Sequence, residues 1–442
     1  RDFVEGVARD KELVLDHTLD EIAAEVASSG WQRSVGALRD DVWGQAPLFP
    51  TVKRLFKALK GKDDEKGGWN PLYFRLPPRL AYVSLPPLVS QLASALLSYC
   101  SLVTSGLPAG VPETAVPTES PLISGAGWVG RQHDNVVAEA SRLRMRLQRQ
   151  RDALDALRTY TPKEAVRNRS GYWGSFVVSL GLDSAAQRRC SALLDELNSQ
   201  SLHSLCARAA SAAAVLDELN GPDGLLTLLD TAAKYAEWDQ VSPKAAFSDV
   251  NDLYLEARNH IYEYIGVKVI FGELRDDILL NLYVPTPSQN RIAGALRLLD
   301  SKLGELHYLL PDEVYRRQVL LHIFRSFCTA LEVVLLDPLP LRDFAADDAS
   351  LFIKDFIVVQ EFFMARNENN EPQGLMEYDI QSYSGTGRLL ELLRMMALSS
   401  EEVVHLHSEH QQLGHDHLVE LSAKLLAKRT DEVARRWVAS KP

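Results

Sequence analysis

Five histidines lie close together near the carboxyl end of the sequence: His405, His407, His410, His415 and His417. Histidine ring nitrogens bind zinc and copper, so a cluster of this kind could hold a transition metal. The segment contains no cysteine, its other residues are mostly polar, and Gly414 interrupts the helical pattern. We therefore predict a solvated helical face and no metal site, with metal binding as the alternative hypothesis.

Two other patterns resemble cofactor motifs. Gly125-Ala126-Gly127-Trp128-Val129-Gly130 has the glycine spacing of a dinucleotide fingerprint, but it closes a proline-rich loop instead of following a strand. The acidic pairs Asn251-Asp252 and Asp347-Asp348 lack the further ligands that a magnesium site on a diphosphate requires. We predict that the protein binds no cofactor and is not an enzyme; a helical enzyme is the alternative.

One predicted helix, Val136–Leu157, carries an unusual number of arginines around an apolar seam. Arg142, Arg146 and Arg149 follow one another at spacings of four and three, which places them on one face. We predict that these three residues bind a partner, either an anionic membrane surface or an acidic helix. The alternative is a solvated face with internal salt bridges to Glu139 or Asp152.

The composition is that of a folded protein with an acidic surface. Hydrophobic residues make up 46% of the 442 positions, charged residues make up 24%, and the net charge is −11. An acidic balance argues against a general nucleic-acid binder. The four cysteines are far apart in apolar contexts, which predicts buried free thiols in a reducing compartment. The chain begins at Arg1, and we expect it to be a piece of a longer protein.

Helical periodicity dominates the chain and strand-like alternation is absent, which predicts an all-α fold. Apolar residues from Ile292 to Leu310 form a single seam, with Ser288 as the predicted N-cap. A wider apolar face from Leu320 to Leu335 predicts a core helix that ends at Asp337-Pro338. The same reasoning predicts one continuous helix in each of three longer segments: Ala185–Leu219, Asp249–Leu282 and Leu418–Val438.

Several strings of residues resemble the MUN domain of the Munc/UNC vesicle-priming family. Ala295–Leu306, the helix Val319–Leu336 and the stop at Asp337–Leu341 are similar to its second Munc homology module. Leu48–Leu59 looks like the start of the first module. The segment Asp416–Val438 resembles the helical tail of plant and fungal members, which are related to CAPS and to exocyst-type tethers.

The resemblance implies an elongated, arched rod of stacked helical bundles, like the subunits of multisubunit tethering complexes. We expect an N-terminal helical segment at 1–44, a first module at 45–160, a middle bundle at 161–284, a second module at 285–400 and a tail at 401–442. In animal members an Asn-x-x-Phe pair in the first module contacts SNARE proteins. Phe56 matches that phenylalanine, and Lys53 stands in place of the asparagine. The alternative is that Phe56 faces the core.

The function that the resemblance implies is vesicle tethering and priming in exocytosis. The expected partners are syntaxin-like and synaptobrevin-like SNARE proteins, a Sec/Munc-type chaperone and an anionic membrane surface. The expected location is cytoplasmic, peripheral at the plasma membrane or secretory vesicles. The alternative within the same class is an exocyst-like tethering subunit.

Overall fold

All regular elements in the described part of the chain are helical, as predicted. The structure, a computed structural model, describes scattered positions between 89 and 109, residue 344, and residues 132–159, 184–222, 224–235, 247–284, 286–310, 312–336, 346–365, 373–429 and 431–440. These residues contain no strand, so the all-α class is confirmed. The division into five modules stays a prediction.

The helices belong to two compact units. The first contains the described residues up to Asp152 together with Gln200–Ile261, and the second contains Ala153–Ser199 and the described residues from Tyr262 onward. In chain order the α-helices whose bounds the structure describes are α1 (Gln132–Thr159), α2 (Ser184–Ser199), α3 (Leu202–Asn220), α4 (Leu225–Tyr235), α5 (Ser248–Val267), α6 (Ile292–Leu309), α7 (Glu313–Leu336), α8 (Ala349–Met364), α9 (Glu377–Gln381), α10 (Ser384–Met396), α11 (Ser400–Leu413), α12 (Asp416–Lys428) and α13 (Glu432–Ala439).

Two of the three long segments predicted as single helices are interrupted by capping residues. Ser201 separates α2 from α3, and its hydroxyl accepts a hydrogen bond from the Ser204 amide at 3.1 Å. Asp431 separates α12 from α13, and its carboxylate accepts from the Ala434 amide at 2.9 Å. A side chain that satisfies the free amides of a first turn starts a new helix even where the apolar pattern continues. The predictions of unbroken helices are therefore wrong at these points.

The third long segment changes its helix type. α5 ends at Val267, and two π-helical segments follow at Lys268–Glu273 and Asp276–Asn281. The buried ammonium of Lys268 donates to the carbonyl oxygens of Leu197 and Asn198 at 3.3 and 3.4 Å, at the end of α2. A cation there stabilises the negative end of the α2 dipole. The prediction of one α-helix to Leu282 is wrong beyond Val267.

The core of the second unit is built around α7. Phe324 and Phe327 on α7 pack edge-on against Phe363 of α8, with ring centroids 5.2 and 6.1 Å apart. By length and composition alone α7 could cross a membrane, but 61% of its most apolar stretch is buried inside the protein. Such burial is the arrangement of a core helix.

The turn before α6 is held by a buried carboxylate. Asp355 of α8 accepts a hydrogen bond from the Tyr283 hydroxyl at 3.2 Å and forms an ion pair with Arg291. Tyr283 has a φ of 62°, a left-handed conformation that is uncommon for a residue with a Cβ. Arg291, and not Ser288, is the residue that precedes α6, so the Ser288 N-cap prediction is wrong. The turn is fixed from α8 and not by a serine cap.

None of the four cysteines, all of them described by the structure, forms a disulfide. Cys100, Cys206 and Cys328 are buried, whereas Cys190 is partly exposed. The prediction of buried thiols is thus confirmed for three of the four. Burial raises the pKa of the Cys100 and Cys328 thiols far above the ordinary range, which keeps both groups protonated and unreactive.

A buried histidine on α7 makes the stability of the second unit depend on pH. Burial, with a smaller effect of the nearby Arg325 cation, lowers the pKa of His322 to about 4. The unfolded chain takes up a proton near pH 6.5 while the folded chain does not, so stability is lost as the pH falls from 6.5 towards 4. Between pH 7.5 and pH 5 this group alone is expected to lower the free energy of unfolding by about 2 kcal/mol.

The measurement is urea unfolding at a series of pH values, followed by circular dichroism. His322→Gln should reduce the change in the free energy of unfolding between pH 5 and 7.5, whatever its effect on stability at neutral pH. His417→Gln, which changes an exposed histidine, should leave the dependence as it is. An unchanged slope in the His322 variant would contradict the assignment.

Candidate interaction surfaces

The arginine-rich helix α1 buries one face and exposes the other. The predicted seam is confirmed, since Leu143, Leu147 and Leu154 are at most 3% exposed. Ala140 and Leu157, which belong to the same apolar seam, are also buried. The apolar spacing therefore determines which way α1 faces, and the arginines between the seam positions lie on its flanks and on its outer side.

Two of the arginines form ion pairs with α5 in the first unit. Arg144 contacts the Asp249 carboxylate at 2.6 Å, and Arg151 contacts the Glu256 carboxylate at 3.1 Å. The arginines are seven positions apart, and so are the two acids. Two parallel rows of side chains at this spacing meet repeatedly along adjacent helices, as the flanking charges of a coiled coil do.

The three arginines predicted to share a face have different environments. Arg146 is half-buried and donates to the backbone oxygen and hydroxyl of Ser101 at 2.9 and 2.6 Å. Arg142 and Arg149 are exposed and form no hydrogen bond or ion pair with any described residue. Met145, between them, is 56% exposed. Arg146 is therefore committed to internal packing, while Arg142 and Arg149 remain available to a partner.

The other predicted contact residues, Lys53 and Phe56, lie outside the described residues. Their contact with a SNARE protein stays a prediction.

A groove with a volume of about 420 Å³ lies between α6, α7, α8 and the chain around Gly374 in the second unit. Leu303, Leu320 and Phe362 are half-buried in its lining. Charged side chains of both signs surround this apolar surface: Asp300, Glu313, Arg316, Arg317 and Glu361. An apolar lining with a mixed charged rim suits an amphipathic helix of a partner.

One end of the groove is formed by backbone that turns back onto α8. The Leu375 amide donates to the Phe363 carbonyl at 2.8 Å, and the Gln373 amide donates to the Ala365 carbonyl at the same distance. A Cβ at Gly374 would lie 2.2 Å from the Phe363 oxygen, so only glycine allows this approach. The apolar spacing did not predict the groove; its one trace in the sequence is Leu303, a seam residue that the structure leaves half-buried.

The histidine segment is divided by the fold. His405, His415 and His417 are exposed and His410 is partly exposed, but His407 is buried with its ring 4.9 Å from that of Trp437. The prediction of a solvated face is thus wrong for His407, whose Nδ1 lies 2.9 Å from the Ser422 hydroxyl. Gly414 ends α11 with a φ of 72°, as the sequence indicated.

The turn after α11 brings some of these histidine rings near one another. The rings of His410 and His415 are 5.8 Å apart between centroids. Within the described ranges, however, no three histidine, cysteine or acidic side chains are grouped so that they could hold a metal ion.

Comparison with known proteins identifies relatives for a large part of the chain. Residues 183–437, more than half of the sequence, match the family model described as PATROL1-like, TPR repeats. The chain is also 32% identical over 124 residues to a protein of Arabidopsis thaliana named Protein unc-13 homolog. That alignment covers 28% of this chain and 11% of the relative, so the chain corresponds to a small part of the length of that protein. No solved structure matches the chain.

Proposed function

Because the chain belongs to the PATROL1-like family of TPR-repeat proteins, we propose that it is part of a scaffold that tethers and primes secretory vesicles for exocytosis. The similarity to a protein named as an unc-13 homolog supports this proposal. Scaffolds of this kind act by binding and not by catalysis, so the proposed role includes no enzymatic step. Its proposed location is cytoplasmic, peripheral at the plasma membrane or at secretory vesicles.

The proposed direct partners are syntaxin-like and synaptobrevin-like SNARE proteins, with a Sec/Munc-type chaperone in the same assembly. The observation that carries this proposal is the groove between α6, α7 and α8. Two of its walls lie in the stretches Ala295–Leu306 and Val319–Leu336, which resemble the second Munc homology module. SNARE motifs are amphipathic helices with heptad seams, and a helix of this kind buries its apolar face in a groove while its polar face remains in water.

A pull-down with the cytosolic domain of a syntaxin-type SNARE tests the proposal. Leu303→Glu places a charge in the apolar lining and is expected to reduce SNARE capture by at least about tenfold, because a buried unpaired carboxylate costs several kcal/mol. The matched control is Leu298→Glu, on the same helix and 43% exposed outside the groove. This control should retain capture.

Circular dichroism of both variants establishes that α6 stays folded. The same pull-down with Phe56→Ala tests the SNARE contact that is expected in the first module. Failure of the wild-type chain to capture any SNARE would reject the proposal. Equal capture by the Leu303 and Leu298 variants would reject the groove as the binding site.

A further inference from the structure

The exposed face of α1 carries a pair of arginines with the same spacing as the pair that forms ion pairs with α5. Arg144 and Arg151, seven residues apart, contact Asp249 and Glu256, also seven residues apart. Arg142 and Arg149 are a second arginine pair with this spacing. The helix therefore carries two arginine rows with one period, and one of the rows is occupied by an acidic helix.

The second row points away from the first. Arg142 precedes Arg144 by two positions, as Arg149 precedes Arg151, and two positions correspond to a rotation of about 200° around a helix. Arg142 and Arg149 themselves differ by only about 20° in direction. Both side chains are exposed, and neither has an ionic or hydrogen-bonding partner within the part of the chain that the structure describes. The row is thus preformed and accessible.

An apolar contact lies beside this row. Met145 is three positions after Arg142 and four before Arg149, and it is 56% exposed. Methionine is flexible and polarisable, so it adapts to apolar side chains of different shapes. A cation, an apolar group and a second cation along one face match a helix that presents an acid, an apolar residue and a second acid.

We propose that Arg142, Met145 and Arg149 form a docking face for an acidic amphipathic helix of a partner protein. The partner's carboxylates would be seven residues apart, with an apolar residue between them to pack on Met145. The pairing of α1 with α5 is the example of this recognition within the same molecule. The inference goes beyond the proposed function, since it holds for any partner with this pattern and does not depend on SNARE binding at the groove.

The charge distribution favours a helix over a membrane as the occupant. A basic side chain near an anionic lipid surface contributes about 1 kcal/mol, so two arginines give weak attachment. Arg144 and Arg151 on the same helix are already paired with acids, so only two arginines of this helix face would meet a lipid surface. A helix with two carboxylates in fixed register, by contrast, pairs with both arginines at once and packs its apolar residue on Met145.

The test uses a synthetic helical peptide. Its glutamates are seven residues apart, and a leucine lies between each glutamate and the next on the same face. Its binding to the full chain is measured by fluorescence anisotropy at low salt. Arg142→Glu with Arg149→Glu is expected to weaken binding by at least about tenfold, and Met145→Ala by about threefold. The matched control carries Arg297→Glu and Arg394→Glu, which reverse two exposed arginines elsewhere and give the same net charge. It should bind the peptide as the unmodified chain does.

Two results would overturn the inference. One is equal binding of the peptide by the double Arg142/Arg149 variant and its charge-matched control. The other is that the peptide does not bind, while vesicles of phosphatidylcholine and phosphatidylserine bind in a manner that requires Arg142 and Arg149. A peptide with lysines in place of the glutamates should not bind. Because the groove residues are unchanged in all these variants, a negative result here is separate from failure of the SNARE pull-down.

Discussion

Replacing Asp355 by leucine is expected to lower the free energy of unfolding by about 2–3 kcal/mol, because hydrogen bonds to a buried carboxylate are lost. Asp355 is 2% exposed, and its two oxygens hold the Tyr283 hydroxyl and the Arg291 guanidinium. The hydrogen bond with Asp355 raises the pKa of Arg291, so the arginine stays charged at any pH of interest. Removing the carboxylate removes the hydrogen bond from the Tyr283 hydroxyl and the ion pair that ties the half-exposed Arg291 side chain to α8. Urea unfolding followed by tryptophan fluorescence and circular dichroism measures the change.

The loss of stability should extend beyond the ion pair of Asp355 and Arg291. Tyr283 adopts a positive φ, and its ring packs at 4.7 Å from that of Phe352. Backbone in this region is strained and persists only where surrounding contacts hold it. Without Asp355 the turn before α6 loses one of those contacts, and we expect the urea midpoint to fall for the whole second unit.

Glu361→Leu is the matched control because it changes an exposed carboxylate on the same helix, α8. Its effect should stay within about 0.5 kcal/mol. A double variant, Asp355→Leu with Arg291→Leu, should be about as stable as Asp355→Leu alone, because the Arg291 side chain is 45% exposed and its charge stays hydrated once the carboxylate is gone. Equal stabilities for the Asp355 and Glu361 variants would show that the ion pair does not hold the turn.

The parts of the fold that the sequence predicted are those governed by apolar spacing. In α6 the predicted seam is buried except at Leu303, and in α1 the seam of leucines faces the core. Burial of apolar surface is the largest favourable term in folding, so its period determines helix direction reliably. Ser201 and Asp431 interrupt helices where the apolar pattern continues, because capping depends on a few local hydrogen bonds that the pattern does not report.

The candidate surfaces were predictable to a smaller extent for a related reason. Spacing placed Arg142, Arg146 and Arg149 on one side of α1, but Arg146 is bound to Ser101, which is 45 positions away in the sequence. Similarly, Arg144 meets Asp249 across 105 positions. Such contacts follow from how helices pack against one another, and a single helix carries no information about them. The groove between α6, α7 and α8 depends on the same long-range packing.

Gly266→Ala is expected to lower the free energy of unfolding by about 2–3 kcal/mol, although alanine is the better helix former. Gly266 lies at the end of α5, where the backbone closely approaches α7. A Cβ at this position would lie 2.6 Å from the carbonyl oxygen of His322 and 2.8 Å from the Ser326 hydroxyl. A backbone carbonyl cannot rotate away as a side chain can, so the contact is relieved only if α5 and α7 move apart.

The control for this variant is Gly304→Ala in the middle of α6. Gly304 is exposed, and nothing would lie within 4 Å of an added Cβ. The same substitution should there raise the free energy of unfolding by up to about 1 kcal/mol, because alanine loses less conformational entropy in a helix. If glycine-to-alanine substitution lowers the free energy of unfolding at Gly266 and raises it at Gly304, then packing, and not helix propensity, determines the effect at Gly266. If both variants are stabilised, α5 and α7 do not approach as closely as the structure places them.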